Sequence, residues 1–326
     1  MKQTRIVGLG DYTGYYSYFT YGVLEGAIRC GAWFRPVSLL SQPLLSVREQ
    51  IDFFKPHIIF AHCIFNRKPH NREEVFDLLR WCRKKLGTFI FYHMGDARTE
   101  PRYPQPINDI VDAVLINNGE GKKWSEKWWK VPCYHWPYPC LYQSDISEEM
   151  KEFEGDVVFT GGISKNPEDP YHYERSQFVE KLKTKYNVRV YPDPVYGNSR
   201  FLTAEVSSSS KAIIGFQMGE SIHLYNDVRP FQYTGAGALY FHNKHPNMDY
   251  FFKDGDHYLG YQSFEHFQEL YKFYSIDNPD MGKCIRQKAF WFGQKYHSTQ
   301  RRVQYAIDIW SGKDAKMELS VERLLQ

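Results

Sequence analysis

The chain lacks most of the features that assign a protein at sight. Its cysteines, Cys30, Cys63, Cys82, Cys133, Cys140 and Cys284, form no C-x-x-C pair, which removes the common zinc and dithiol motifs. With no secretory leader ahead of them, they read as reduced thiols of a cytoplasmic protein. No apolar run nears the roughly 18 residues that cross a bilayer. Net charge is only +3, from 41 Lys and Arg against 38 Asp and Glu, which excludes the strong basic bias of a dedicated nucleic-acid-binding domain. There is no internal repeat. The stretch GLGDYTG is not a dinucleotide fingerprint, because Gly8, Gly10 and Gly14 overrun the G-x-G-x-x-G spacing, and no G-K-[ST] follows it. Asp254 and Asp256 flank Gly255 and read as a turn, not as an aspartate pair on apolar strands. His242 and His245 lack further partners at ligand spacing, so no metal and no bound cofactor is expected. A serine nucleophile elbow is absent as well.

What is present points to a polar ligand on an α/β scaffold. Aromatic residues make up 17% of the chain, with 25 Tyr. Tyrosine in excess lines polar grooves for sugars or bases, although compositional bias gives the same count. A length of 326 residues suits two domains of about 150 each. Short apolar runs alternate with helical patterns: strands at 5–9, 34–38, 57–60, 88–92 and 113–117, helices at 21–30, 46–54, 73–86 and 121–130. Such alternation with short connections predicts a doubly wound parallel sheet. The segment 131–141 holds Pro132, Pro137 and Pro139 and predicts an extended connector. A charged helix is expected over 147–154, with a domain boundary at 145/146. The second alternation places strands at 156–160, 188–191, 212–216 and 238–241, and helices at 174–186, 202–208 and 229–234. The tail 282–310 reads as almost wholly helical, with the last helix packing back toward the first domain.

The most informative stretch is NDVRPFQYTGAGALYF, from Asn226 to Phe241. Arg229 opens an aromatic helical turn, a Gly-Ala-Gly ends it, and an apolar strand follows. An Arg fork at a helix start suits a phosphate, while the plain alternative is an ordinary αβ connection with a surface Arg. Arg229, Phe231, Gly237 and Leu239 follow a pattern R-x-F-E, a small residue, Gly, apolar strand. On these residues, with FFKDGDHYLGYQSFEHFQELYKFY after them, the chain over about 156–310 resembles the CgeB-like glycosyltransferases, a GT-B group of spore-maturation and surface-sugar enzymes. Gln232 stands where that family has Glu.

The resemblance implies a fold of two Rossmann-like domains facing a central cleft: an acceptor-side domain over 1–145 and a nucleotide-sugar domain over 146–326. It also implies transfer of a sugar from a nucleotide-diphosphate sugar, UDP-linked, to an acceptor hydroxyl without a metal. Gln232 would then meet the donor ribose, and Tyr233 would lie beside it. The loop FTGGISKN adds Gly161 and Gly162, whose backbone can approach phosphate, and Lys165 as a point charge. A tight turn is its plain alternative. For the general base, Asp11 and Asp96 each follow an N-domain strand, with capping or a surface turn as the ordinary alternatives. Tyr12, Tyr15, Tyr16 and His93 stand beside them as acceptor-side candidates, and Glu120 is a third acidic candidate. The acceptor classes left open are a polysaccharide, a protein, or a hydroxymethylated base in phage-type DNA, the last drawing on Arg83-Lys84-Lys85 and Arg301-Arg302 as phosphate contacts. A catalytically silent nucleotide-binding scaffold and a nucleotide-sugar epimerase remain as other classes.

Overall fold

The structure, a computed structural model, describes residues 3–10, 12, 17–62, 70–95, 104–149, 151, 154–161, 163–164, 166–168, 170–191, 200–217 and 222–326. The chain divides into two compact units. The first takes Met1–Tyr138, Ser221–Tyr225 and Thr299–Met317; the second takes Pro139–Glu220, Asn226–Ser298 and Glu318–Gln326.

In the first unit the apolar runs form β1 (Arg5–Gly10), β2 (Trp33–Ser38), β3 (Ile58–His62), β4 (Phe89–Met94), β5 (Ala113–Ile116) and β6 (Cys133–His135). They lie in the order β2-β1-β3-β4-β5-β6, and every pair is parallel. Helices follow β1, β2, β3 and β5, and the parallel pairing returns the chain to the same sheet end each time. Side chains alternate accordingly. Val7, Leu9, Ile59, Ile90 and Val114 enter one core, while Ile6, Phe60, Phe91 and Leu115 enter the other with Val303 and Ala306 of the helix Thr299–Trp310. That helix crosses Ser17–Arg29 closely at Gly26, where a Cβ would stand 2.5 Å from the Thr299 carbonyl. Any larger residue there forces the helices apart.

The expected connector over 131–141 carries a strand. Between Pro132 and Pro137 the backbone has its donors, and Cys133–His135 ladders onto Val114–Ile116. The prolines bound this strand instead of preventing it.

The second unit holds β7 (Gly155–Thr160), β8 (Val188–Tyr191), β9 (Ser210–Gly215), β10 (Tyr240–Asn243) and β11 (Leu259–Tyr261). Their order is β11-β10-β9-β7-β8, again parallel throughout. Val157, Phe159, Ala212, Ile214 and Phe241 pack beneath Val179, Leu182 and Phe267. Two expectations shift here. The strand expected over 238–241 begins at Tyr240, because Gly237 N–H donates to Thr234 O at 3.1 Å and Ala238 N–H to Tyr233 O at 3.0 Å, which holds the glycine segment in a closing turn. Residues 147–149 are not helical, since the Glu148 carbonyl accepts the Ser208 hydroxyl at 2.9 Å and is lost to a local helix.

Each sheet reverses its strand order once. After β8 the chain returns to the other side of β7 to lay down β9; after β2 it returns to the other side of β1 to lay down β3. Ligands of open α/β sheets bind outside the carboxyl ends of strands at such reversals. In the second unit that point lies beyond Thr160 and Gly215; in the first, beyond Gly10 and His62.

Candidate functional site

The carboxyl edge of the second sheet gathers a buried polar cluster around Arg229. The helix Arg229–Thr234 starts there because Pro230 presets φ at its first turn. It has only six residues, so the side chains, not the helix end, define the site. Arg229 Nε donates to the Thr160 carbonyl at 2.8 Å, and Nη1 donates to Asp227 Oδ2 at 2.7 Å. Asp227 Oδ1 accepts the Arg229 backbone N–H at 2.9 Å. The guanidinium is thus tied across the end of β7, not left as a surface Arg.

Asp227 is the partner that the sequence reading missed. Burial alone would raise its carboxyl pKa, but Arg229 first, then His242 and Arg175, hold it below the usual carboxylate range. Its backbone N–H donates to Gln217 Oε1 at 3.2 Å. Gln217 and Asn243 lock the ends of β9 and β10 together through Gln217 N–H to Asn243 Oδ1, 2.8 Å, and Asn243 Nδ2 to Gln217 O, 3.0 Å. Arg175, 2% exposed, reaches the Phe216 carbonyl with Nη2 at 3.1 Å. Behind them lie Tyr240, His242 and His245, all buried. Burial pushes His242 down to about 4 and His245 to about 3, so both imidazoles are neutral near pH 7.

Among the donor-side candidates, Gly161 lies directly against Arg229. Its φ is +138°, and a Cβ would stand 2.5 Å from Arg229 Nη2. Gly161→Ala is therefore expected to cost about 1–3 kcal/mol of stability and to displace the guanidinium. A lower urea midpoint with a weakened UDP titration checks this; unchanged values in both contradict it. Tyr233 donates its hydroxyl to Thr160 Oγ1 and so joins the same turn. Gln232 is 8% exposed and spends its Nε2 on Thr203 Oγ1 at 2.6 Å. Gly162 and Lys165 lie outside the described residues.

On the first sheet, Asp11, Asp96, Tyr15 and Tyr16 also lie outside the described residues. Tyr12 folds back to donate its hydroxyl to the Gly8 carbonyl at 2.9 Å, and burial raises its phenol. His93 is fully buried at the end of β4, where its Nδ1 lies 2.7 Å from Nδ1 of His62. Glu120 pairs with Lys123 at 3.2 Å. Of the first basic cluster, Arg83 binds Asp112 at 2.6 Å and the Asn108 carbonyl at 2.8 Å, while Lys84 and Lys85 are exposed. Arg302, 1% exposed, donates to the Pro137 carbonyl at 3.1 Å. Among the described residues no group of three or more His, Cys, Asp and Glu is placed to hold a metal ion, and no helix is long and apolar enough to cross a membrane.

Comparison with known proteins bears on this arrangement. Residues 175–308, which contain Arg175, Asp227 and Arg229, match the family model described as glycosyl transferase-like. Comparison with curated protein sequences found no match. Among solved structures, a glycosyltransferase from Rickettsia africae is 10% identical with a TM-score of 0.58, covering 96% of this chain and 99% of its own. Anabaena Alr3699/HepE in complex with UDP-glucose is 9% identical with a TM-score of 0.59, over 95% and 100%. A putative UDP-N-acetylglucosamine 2-epimerase from Listeria monocytogenes is 10% identical with a TM-score of 0.53, over 98% and 100%. The chain therefore has the two-domain GT-B fold, and within it residues 175–308 are similar to the glycosyl transferase-like family.

Proposed function

We propose that the protein transfers a sugar from a UDP-linked donor to an acceptor hydroxyl, in the manner of the CgeB-like enzymes. The observation that carries this reading is the Arg229–Asp227–Thr160–Gly161 cluster at the strand-order reversal of the second sheet. A guanidinium has five N–H donors in a rigid fork, and its charge opposes the negative charge that builds on the leaving diphosphate. Lys165 and the backbone at Gly162 add to it, so that protein cations take the part a metal ion plays in other transferases. Gln232 and Tyr233 flank the donor. Asp11 or Asp96 takes the acceptor proton. The complex of the HepE structure with UDP-glucose and the family match over 175–308 support the donor class.

The test is a panel of UDP-, GDP- and TDP-sugars, with nucleotide release and sugar identity followed together. Release of UDP with free or transferred sugar is expected. An isomerised nucleotide sugar would make the chain an epimerase, and binding without release would make it a scaffold.

A further inference from the structure

We propose that the second unit carries a subsite for a neutral saccharide chain, in an open aromatic cleft beside the donor cluster; this rests on the transfer reading above. The acceptor is then a glycan, and the units behind its reacting end rest in this cleft.

The cleft lies at the carboxyl ends of β9, β10 and β11, which are neighbours in the sheet. Its volume is about 530 Å³, within the range of small-ligand pockets. The wall is aromatic. Phe178, on the helix Pro170–Lys183, stacks on Tyr261 with ring centres 5.3 Å apart. It also meets Phe216 at 5.9 Å and Phe264 at 5.7 Å. Tyr261 spends its hydroxyl on the Gly215 carbonyl at 2.9 Å, so it contributes its ring alone. Phe178, Phe216 and Phe264 are only half-buried, which leaves aromatic surface open to a ligand. The rim is polar and balanced in charge. Lys181, Lys244, Gln262 and Glu265 stand there, all exposed. Lys244 is paired with Asp254 at 3.0 Å. Glu265 lies in the first turn of the helix Phe264–Tyr271. Its own backbone N–H first, then Ser263, with Lys181 adding, hold its carboxyl below the usual range, so Lys181 faces a carboxylate.

That combination selects the ligand. A phosphate, or a nucleic-acid strand, would meet the Glu265 carboxylate and find Lys244 already neutralised. A fatty chain would strip water from the charged rim without replacing its hydrogen bonds. A sugar ring suits both parts: its C–H face covers an aromatic ring, and its hydroxyls donate to Glu265 and accept from Lys181 and Gln262. The cleft is also tied to the donor cluster. Phe216 gives its carbonyl to Arg175 Nη2 at 3.1 Å, and Arg175 helps to hold Asp227 ionised. Asn243, in the same wall, is bonded to Gln217, which accepts the Asp227 N–H. Neighbouring strands lie about 4.8 Å apart, so the cleft begins about 5 Å along the edge from the end of β7 and extends to about 14 Å. A short oligosaccharide covers that span.

The full chain is tested on an array of immobilised bacterial and plant oligosaccharides, and the glycan held best is then titrated in solution. Wild type is expected to bind. Gln262→Ala and Phe264→Ala should each weaken the glycan about 10-fold, with UDP bound as before. With that glycan as acceptor and UDP release as the readout, both should raise KM by the same factor and leave kcat, because the cleft holds units that do not react. Gln262 is exposed, so its variant serves even where Phe264→Ala fails to fold. An array that stays blank while UDP binds and is released from a UDP-sugar overturns the subsite alone. A bound glycan whose affinity Gln262→Ala leaves unchanged does the same, as does transfer to a protein or to DNA with the array blank. Glycan binding by a chain that neither binds UDP nor releases it from a UDP-sugar refutes the transfer reading, and the acceptor role with it.

Discussion

Arg229→Ala is expected to lower UDP release from a UDP-sugar by about 100-fold or more and to cost about 3–5 kcal/mol of stability. Both effects come from one geometry. The guanidinium spans Thr160 and Asp227, and Asp227 is only 8% exposed. Removing the cation strands a buried carboxylate and opens the turn at Gly161. The two effects separate in a double variant. Adding Asp227→Ala removes the stranded charge and should recover most of the stability, because a pair replaced on both sides leaves no uncompensated ion. It should not recover turnover. Urea unfolding and UDP release, measured on both variants, check this. Near-normal turnover in a folded Arg229→Ala protein would remove Arg229 from the donor site.

The second large effect is acid unfolding that begins well above the carboxylate range. Burial holds His135 at about 3, His242 at about 4, His245 at about 3 and His257 at about 4. An unfolded histidine titrates near 6.5. As the pH falls below that value, the unfolded chain takes up protons that the folded chain refuses, so stability falls. The loss continues until each folded pKa is reached. Each group adds about 1.4 kcal/mol of destabilisation per pH unit within that window. Asp227 and Asp256, both held below the usual carboxylate range, add to the loss only at the acid end of this window, where unfolded carboxylates take up protons first. Acid unfolding followed by tryptophan fluorescence should therefore begin near pH 6 and reach its midpoint above pH 4. His245→Asn should move the midpoint of the second unit to lower pH. A midpoint near pH 3 that His245→Asn leaves in place would assign acid unfolding to carboxylates.

Much of the scaffold was legible because parallel strands buried on both faces read as continuous apolar runs. HIIF and AIIGF announced β3 and β9 in this way, and Pro230 with the following glycines bounded the helix Arg229–Thr234. The failures share a cause: local signals were overruled by distant partners. β6 forms because Val114–Ile116 offers an open edge to Cys133–His135. The helix expected over 147–154 fails where Ser208 takes the Glu148 carbonyl. The site was legible by residue type but not by pairing. Arg229 stood out, yet its carboxylate lay two positions upstream, and the Asp-x-Arg spacing was the signal to use. His62 closes the run HIIFAH, and His93 is next to last in FIFYHM. Only the adjacency of β3 and β4 in the sheet order turns two scattered histidines into a hydrogen-bonded pair.

The central claim is that a nucleoside diphosphate binds at the carboxyl edge of the second sheet. A crystal structure of the protein with UDP tests it most directly. The account predicts the diphosphate against the turn Thr160–Gly161 and within hydrogen-bonding distance of Arg229. UDP seated instead beyond Gly8 and Gly10 on the first sheet would contradict it.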